Sequence, residues 1–138
     1  MKPLLLLSLL SVLVGCDVVG TVIDISGSET QVRNLRLSGP GTLQVISLGS
    51  VKLVPLESFE SITLFPEEAQ TVNGEFCFAA DIYMRDGARL AARDKTHDNR
   101  PQTFIAVNQT LLGTSHRGSF SADLTGVSKI TFLHRGRF

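Results

Sequence analysis

The stretch Phe76-Cys77-Phe78-Ala79-Ala80-Asp81-Ile82-Tyr83-Met84, followed by Arg85-Asp86-Gly87 and Ala88-Arg89-Leu90, decides the fold class. Its apolar residues recur at spacing two, which is typical of a strand, and aromatic residues favour that conformation. The Asp-Gly pair tolerates the positive φ values that a tight turn requires. The stretch therefore predicts two antiparallel strands joined by a hairpin.

The same alternation recurs along much of the chain. Runs with apolar residues at every second position cover 33–37, 43–45 and 51–53. Turn-forming residues separate the strands at intervals of about 8–12 residues. We expect such turns at 38–41, at Asn73-Gly74 and at 115–118. The pattern predicts an all-β fold, a small antiparallel β-sandwich or barrel.

Two stretches favour a helix instead. One is the N-terminal segment, which is predicted to form a signal helix. The other is Pro66-Glu67-Glu68-Ala69, where a proline and two acidic residues suit a helix N-terminus. We therefore expect a single helical turn within an otherwise β-rich domain.

A second pattern indicates a possible internal repeat. Leu56-Glu57-Ser58-Phe59-Glu60-Ser61-Ile62-Thr63-Leu64 aligns with Leu124-Thr125-Gly126-Val127-Ser128-Lys129-Ile130-Thr131-Phe132 at an offset of 68 residues. Two similar β-units could pack together as one domain, each unit being too small to bury its own apolar face. The alternative is coincidence, because β-rich sequences produce short matches easily.

The chain begins Met1-Lys2-Pro3 and continues as an uncharged run from Leu4 to Val14. These eleven residues are about half of what a membrane-spanning helix needs and match the apolar core of a signal peptide. The run ends in Leu13-Val14-Gly15-Cys16, which resembles the lipobox of bacterial lipoproteins. The alternatives are an ordinary signal peptide and a buried helix that contains Cys16.

The lipoprotein resemblance implies how the chain is processed. Residues 1–15 would be a cleaved signal peptide, and residues 16–138 a single β-rich domain on a short N-terminal tether. Cys16 would carry a diacylglycerol on its sulfur and an acyl chain on its new amine, and two or more chains anchor a protein stably. Asp17 resembles the signal that retains such proteins at the inner membrane. The resemblance implies a place in the bacterial cell envelope, facing the periplasm or the exterior.

Removal of the signal peptide would leave 123 residues, enough for one domain with a hydrophobic core. Lipid on Cys16 would leave Cys77 as the only thiol, so the mature chain could form no internal disulfide. A lone cysteine in an oxidising compartment is either buried or paired with another molecule. The neighbouring Phe76 and Phe78 favour burial.

Charge is distributed unevenly, although the whole chain is formally neutral. Residues 17–84 contain three basic and nine acidic residues, and residues 85–138 contain nine basic and four acidic ones. The two parts could face each other in one domain, or their charges could be spread over a solvated surface. A third interpretation is a basic face, ending in Arg135-Gly136-Arg137, that contacts anionic lipid or a polyanion. The pattern does not resemble a nucleic-acid-binding protein.

The longest polar run lies between residues 93 and 101 and predicts a loop. Loops often carry binding residues, although a solvated connection between strands is the commoner outcome. The candidates for a binding loop are Asp94, Lys95, His97, Asp98 and Arg100.

No motif in the sequence indicates a particular chemistry. His97, His116 and His134 lack the spacing of zinc ligands, and the serines lack the frame of a nucleophile elbow. We therefore expect no metal, cofactor or catalytic residue. The favoured hypothesis is a non-enzymatic envelope lipoprotein that binds a protein partner or has a structural or assembly role. The alternatives are a small envelope hydrolase, with residues such as His97, Asp98 or His116, and a binder of anionic lipid or polyanion.

Overall fold

The computed structural model describes residues 17–93 and 100–133, which form eleven strands. Single 3-10 turns, Leu56–Ser58 and Leu124–Gly126, join two pairs of consecutive strands. The strands are β1 (Val19–Asp24), β2 (Glu29–Leu37), β3 (Thr42–Ser47), β4 (Ser50–Pro55), β5 (Phe59–Val72), β6 (Glu75–Met84), β7 (Arg89–Leu90), β8 (Thr103–Ala106), β9 (Thr110–Ser115), β10 (Gly118–Asp123) and β11 (Val127–Leu133).

All strand pairs of the sheet are antiparallel, as predicted. The order is β10-β9-β2-β1-β11-β5-β6-β8-β3-β4, and β7 pairs with β6 beside this path. The small all-β fold is therefore confirmed. Its finer form is one continuous sheet that is not closed into a barrel, because β10 and β4 remain as free edges. The predicted signal helix lies outside the described residues.

One apolar core holds the curled sheet together. Its buried members come from both ends of the strand order, including Leu111 of β9 and Leu43 of β3. Near its centre, Phe59 of β5 stacks on Phe132 of β11 with their ring centroids 6.1 Å apart. A smaller cluster on the opposite face of β3, β6 and β8 contains Ile46, Cys77, Ala79, Ala92, Phe104 and Ala106. The burial predicted for Cys77 is confirmed.

The structure extends the repeat well beyond the nine aligned residues. The succession β3, β4, 3-10 turn and β5 returns 68 residues later as β9, β10, 3-10 turn and β11, with the same start of every element. In each 3-10 turn the backbone N–H of the following residue, Phe59 or Val127, donates to the carbonyl of the leading leucine. Ile62 pairs with its own counterpart Ile130 where β5 meets β11.

The strand order reads equivalently from either end, with an approximate twofold axis between β11 and β5. One half of the sheet contains β1 and β2 with β9, β10 and β11, and the other contains β6 and β8 with β3, β4 and β5. Along the chain, however, β1–β5 form one unit and β6–β11 the next. The two units therefore exchange strands, so each half of the sheet needs residues from both.

The two halves of the sheet differ in the way that β2 pairs with its neighbours. The start of β2 pairs with β1, whereas its end pairs with β9, and the register shifts between Arg33 and Arg36. Asn34 lies in this interval with a φ of 55°, which asparagine tolerates better than most residues. Gly113 of β9 passes so close that a Cβ there would lie 2.4 Å from a methyl carbon of Val32. Its counterpart in the other half is the buried Val45.

One local prediction was wrong. Pro66 to Ala69 form no helical turn; they belong to β5, whose register against β6 shifts between Phe65 and Ala69. A proline has no N–H for the ladder and is tolerated at such a bulge. The predicted turns are confirmed: Gly39, Gly41, Asn73, Gly74, Gly87 and Gly118 all have positive φ.

Candidate binding site

The predicted binding loop is described only at its base. Asp94, Lys95, His97 and Asp98 lie outside the described residues, whereas Arg100 is exposed beside Pro101. Arg93 and Pro101 form an isolated β-bridge, and Arg93 makes an ion pair with Glu68. The backbone N–H of Ala92 donates to a carboxylate oxygen of Asp81 at 2.7 Å. Glu68 and Asp81 thus hold the chain against the sheet where the loop begins.

Open grooves flank the segment 89–93 on two sides. The first has a volume of about 500 Å³ and is lined by Phe65, Glu67, Glu68, Asp81, Arg89, Ala91, Ala92 and Arg93. The bulge at Pro66–Glu68 provides two of its carboxylates. The second groove, of about 440 Å³, lies towards the β3–β4 hairpin and is lined in part by Leu48, Leu90 and Gln102.

Charges in the first groove are mixed rather than of one sign. Glu67, Glu68 and Asp81 face Arg89 and Arg93. The guanidinium of Arg89 also lies 5.2 Å from the ring centre of Tyr83, a cation–π distance. Two of the basic residues expected to form a basic face are thus next to aromatic or acidic partners. The described residues form no segregated basic surface at this groove.

The predicted chemical groups are not brought together in the described part of the chain. His116 lies exposed at the turn between β9 and β10, while His97 and His134 are outside the described residues. Within residues 17–93 and 100–133, no group of three His, Cys, Asp or Glu is placed to hold a metal ion. Burial raises the pKa of the Cys77 thiol, which keeps this sulfur protonated and poorly nucleophilic.

The anchor residue itself, Cys16, lies outside the described residues, and Asp17 is the first residue described. Val18 packs against the core, and its carbonyl accepts a hydrogen bond from the N–H of Leu35 at 2.8 Å. Strand β1 begins at Val19. No helix in the described ranges combines the length and apolarity needed to cross a membrane.

A surface that the sequence analysis missed lies on β3–β4. Leu48, Val51 and Leu53 are 68%, 44% and 67% exposed, although 51–53 has the alternation of a half-buried strand. The register of β4 against β3 explains this exposure, because it places Val51 and Leu53 on the face opposite to the main core. The repeat contained a sequence signal for this exposed face. At the same offset of 68, Val51 and Leu53 correspond to Ser119 and Ser121, which are typical of a solvated position.

The chain was also compared with known proteins. No protein-family model matches it, and no curated protein or solved structure matches it. The functional interpretation therefore depends on the residues and on their geometry.

Proposed function

We propose that this protein is a lipid-anchored binding domain of the bacterial cell envelope without enzymatic activity. The N-terminal sequence supplies the membrane anchor at Cys16, and the β-sheet supplies surfaces for a protein partner. Its place would be the periplasmic or exterior face of a membrane, with Asp17 favouring retention at the inner membrane.

The observation that carries this proposal is the short sequence separation between Cys16 and the folded sheet. Only Asp17 and Val18 separate the cysteine from β1, and Val18 already packs against the core. Three residues span at most about 11 Å, so lipid on Cys16 would hold the start of β1 against the membrane surface. Anchoring would then restrict the orientation of the domain as well as its location.

The register of β11 supports a second contact with the membrane. Leu133 pairs with Val19, so β11 ends beside the start of β1, the end that the lipid would anchor. Arg135 and Arg137 come two and four residues later in the sequence. Basic residues near a membrane surface contribute about 1 kcal/mol each on anionic lipids. The basic pair would therefore reinforce the lipid anchor.

Mass spectrometry of the mature N-terminus tests the anchor. We expect cleavage before Cys16 and the mass of a diacylglycerol with an additional acyl chain. Cys16→Ala should abolish labelling by radioactive fatty acid and release the protein from membranes. Cys77→Ser is the matched control and should leave labelling unchanged, because Cys77 is buried. An unmodified Cys16 or cleavage at another residue would contradict the proposal.

Two variants separate the sorting and surface contributions. Asp17→Ser should move protein from inner-membrane to outer-membrane fractions without loss of lipid. Arg135→Ser combined with Arg137→Ser should weaken retention on anionic vesicles, and the difference from the unsubstituted protein should disappear at high salt. Unchanged fractionation or a salt-independent difference would argue against the respective contribution.

A further inference from the structure

The two free edges of the sheet expose backbone groups at equivalent positions. In an antiparallel hairpin, successive residues direct their N–H and C=O groups alternately towards the partner strand and away from it. The two-residue turns close on the pairs Ser47–Ser50 and Ser115–Gly118. The backbone N–H and C=O groups of residues 51 and 53 of β4, and of residues 119 and 121 of β10, therefore point away from the partner strand and towards the free edge. Each edge is a template on which another strand can pair.

On the face away from the main core, the side chains of β4 are apolar and those of β10 are polar. On β10, Phe120 faces the core and the outward positions are Ser119 and Ser121, which is the pattern expected at a solvated edge. On β4, Lys52 lies opposite the buried Val45 and so shares the core-side face. On β4 the side chains that point away from the main core are therefore those of Val51 and Leu53, which are exposed. Val51 lies opposite Ile46 of the smaller apolar cluster. Leu53 lies opposite Gln44 and is 67% exposed, and its counterpart on β10 is a serine, so the fold does not explain this leucine.

The turn of the β4 hairpin carries a third exposed apolar residue under strain. Leu48 has a φ of 51°, in the left-handed region that is unfavourable for a bulky side chain. The corresponding first turn position of β5–β6 is Asn73, with a φ of 52° and glycine following, as Gly49 follows Leu48. An asparagine at position 48 would therefore fit the backbone conformation better than leucine does and would expose a polar side chain to solvent. A strained and solvent-exposed leucine beside Val51 and Leu53 favours a role for this edge in contact.

We propose that the outer edge of β4 binds an extended segment of a partner protein, which pairs with Val51 and Leu53 as an added strand and carries an acidic residue opposite Lys52. This role rests on the proposed binding function but does not depend on the lipid anchor. The backbone groups of residues 51 and 53 would provide the hydrogen bonds. Apolar side chains of the partner would cover Val51 and Leu53, and Leu48 would extend the contact at the turn.

Charge disfavours a second copy of the same chain as the occupant. Antiparallel self-pairing that places Val51 opposite Leu53 is centred on residue 52, so it places Lys52 opposite Lys52, and like charges directly opposite are destabilising. A register centred on Leu53 instead uses Pro55, which has no N–H to donate. Lys52 is exposed, and a lysine on an edge strand is a known means of preventing self-association. An acidic residue on the partner converts the same lysine into a favourable contact.

A peptide titration tests this edge with the full mature protein in detergent. The probe is a fluorescein-labelled ten-residue peptide of threonines with a central Val-Glu-Val, and its control has lysine in place of glutamate. We expect the glutamate peptide to bind more tightly by several-fold, by fluorescence anisotropy. Leu53→Ser should weaken its binding about tenfold or more. Ser121→Ala on the opposite edge should leave the affinity unchanged.

The charge variant Lys52→Glu keeps the test decisive even where Leu53→Ser impairs folding, because it should reverse the preference in favour of the lysine peptide. Equal binding of both peptides, no binding of either, or an affinity unaffected by Leu53→Ser would overturn the proposal. So would a dimer of the purified protein that Leu53→Ser dissociates, because the edge would then pair with itself. Failure of this titration leaves the mass of the Cys16 N-terminus unchanged, so the two proposals fail separately.

Discussion

The hairpins β3–β4 and β9–β10 occupy equivalent places at opposite ends of the sheet, yet their surfaces differ. Both begin with threonine, turn after a serine and lead into a 3-10 turn with a buried leucine, Leu56 or Leu124. Their outward residues are apolar on β4 and serines on β10. The comparison separates what the fold requires, which is common to both copies, from what only one copy retains.

The largest expected effect tests whether the two halves contribute equally to the core. Ile62 and Ile130 pair across the twofold axis, and both are fully buried. Ile62→Ala and Ile130→Ala should each lower the free energy of unfolding by about 2–5 kcal/mol, because each leaves a cavity in the same core. Urea denaturation measures both. A large loss for one and almost none for the other would break the equivalence of the halves.

A smaller effect is expected where the halves differ in packing. Gly113→Ala should lower stability by about 1–3 kcal/mol, since the new methyl group would meet Val32 and the carbonyl of Arg33. Gly126→Ala is the matched control, because no atom lies within 4 Å of its added Cβ. The control should change stability by less than about 0.5 kcal/mol. Equal effects in thermal denaturation would show that β2 does not pass close to β9.

The strained turn gives a prediction with opposite signs at two positions. Leu48→Asn should raise stability by about 1 kcal/mol, because asparagine tolerates the left-handed conformation better than leucine does. Asn73→Leu should lower stability by a similar amount for the same reason. The same Leu48→Asn protein should bind the glutamate peptide less tightly. A variant that gains stability and keeps its affinity would show that Leu48 has no role in binding.

The smallest effect concerns the turns at the outer ends of β1 and β6. One carboxylate oxygen of Asp24 accepts hydrogen bonds from the N–H groups of Ser26 and Ser28 and from the Ser26 hydroxyl, whereas Asp86 accepts one from Ala88. These bonds lower the pKa of Asp24 below 3.8, with the Ser26 hydroxyl as the main cause.

Because this pKa is lower in the folded state, its contribution to stability is present above the unfolded value and is lost as the pH falls through the folded one. Asp24→Asn should therefore lose less stability than the unsubstituted protein on acidification from about pH 4 to about pH 2. The Asp24 midpoint, followed by NMR of its carboxyl carbon, would contradict this account if it lay above 3.8.

Much of the fold could be predicted from local sequence. Spacing-two alternation identified the strand segments around 33–37, 43–45, 51–53 and 76–82, and Gly and Asn identified their turns. These features depend on neighbouring residues alone. The match of Leu56–Leu64 to Leu124–Phe132 also indicated the two related units, since a buried Leu and Ile recur at the same spacing.

Strand exchange and the orientation of β4 could not be predicted in the same way. Alternation shows that Val51 and Leu53 share a face, but the register to β3 decides which face it is. Pro66 and two acidic residues fit a helix start and a β-bulge equally well until the partner strand is known. The candidate loop at 94–98 has its base described, and the role of its residues stays a prediction.

Amide hydrogen exchange tests most directly whether the two edges differ in binding although both expose backbone groups at equivalent positions. Without peptide, the N–H groups of Val51, Leu53, Ser119 and Ser121 should all exchange rapidly, because all four face outward. Saturating glutamate peptide should slow exchange at Val51 and Leu53 and leave Ser119 and Ser121 unchanged. Equal protection of both edges, or protection of β10 alone, would contradict the account.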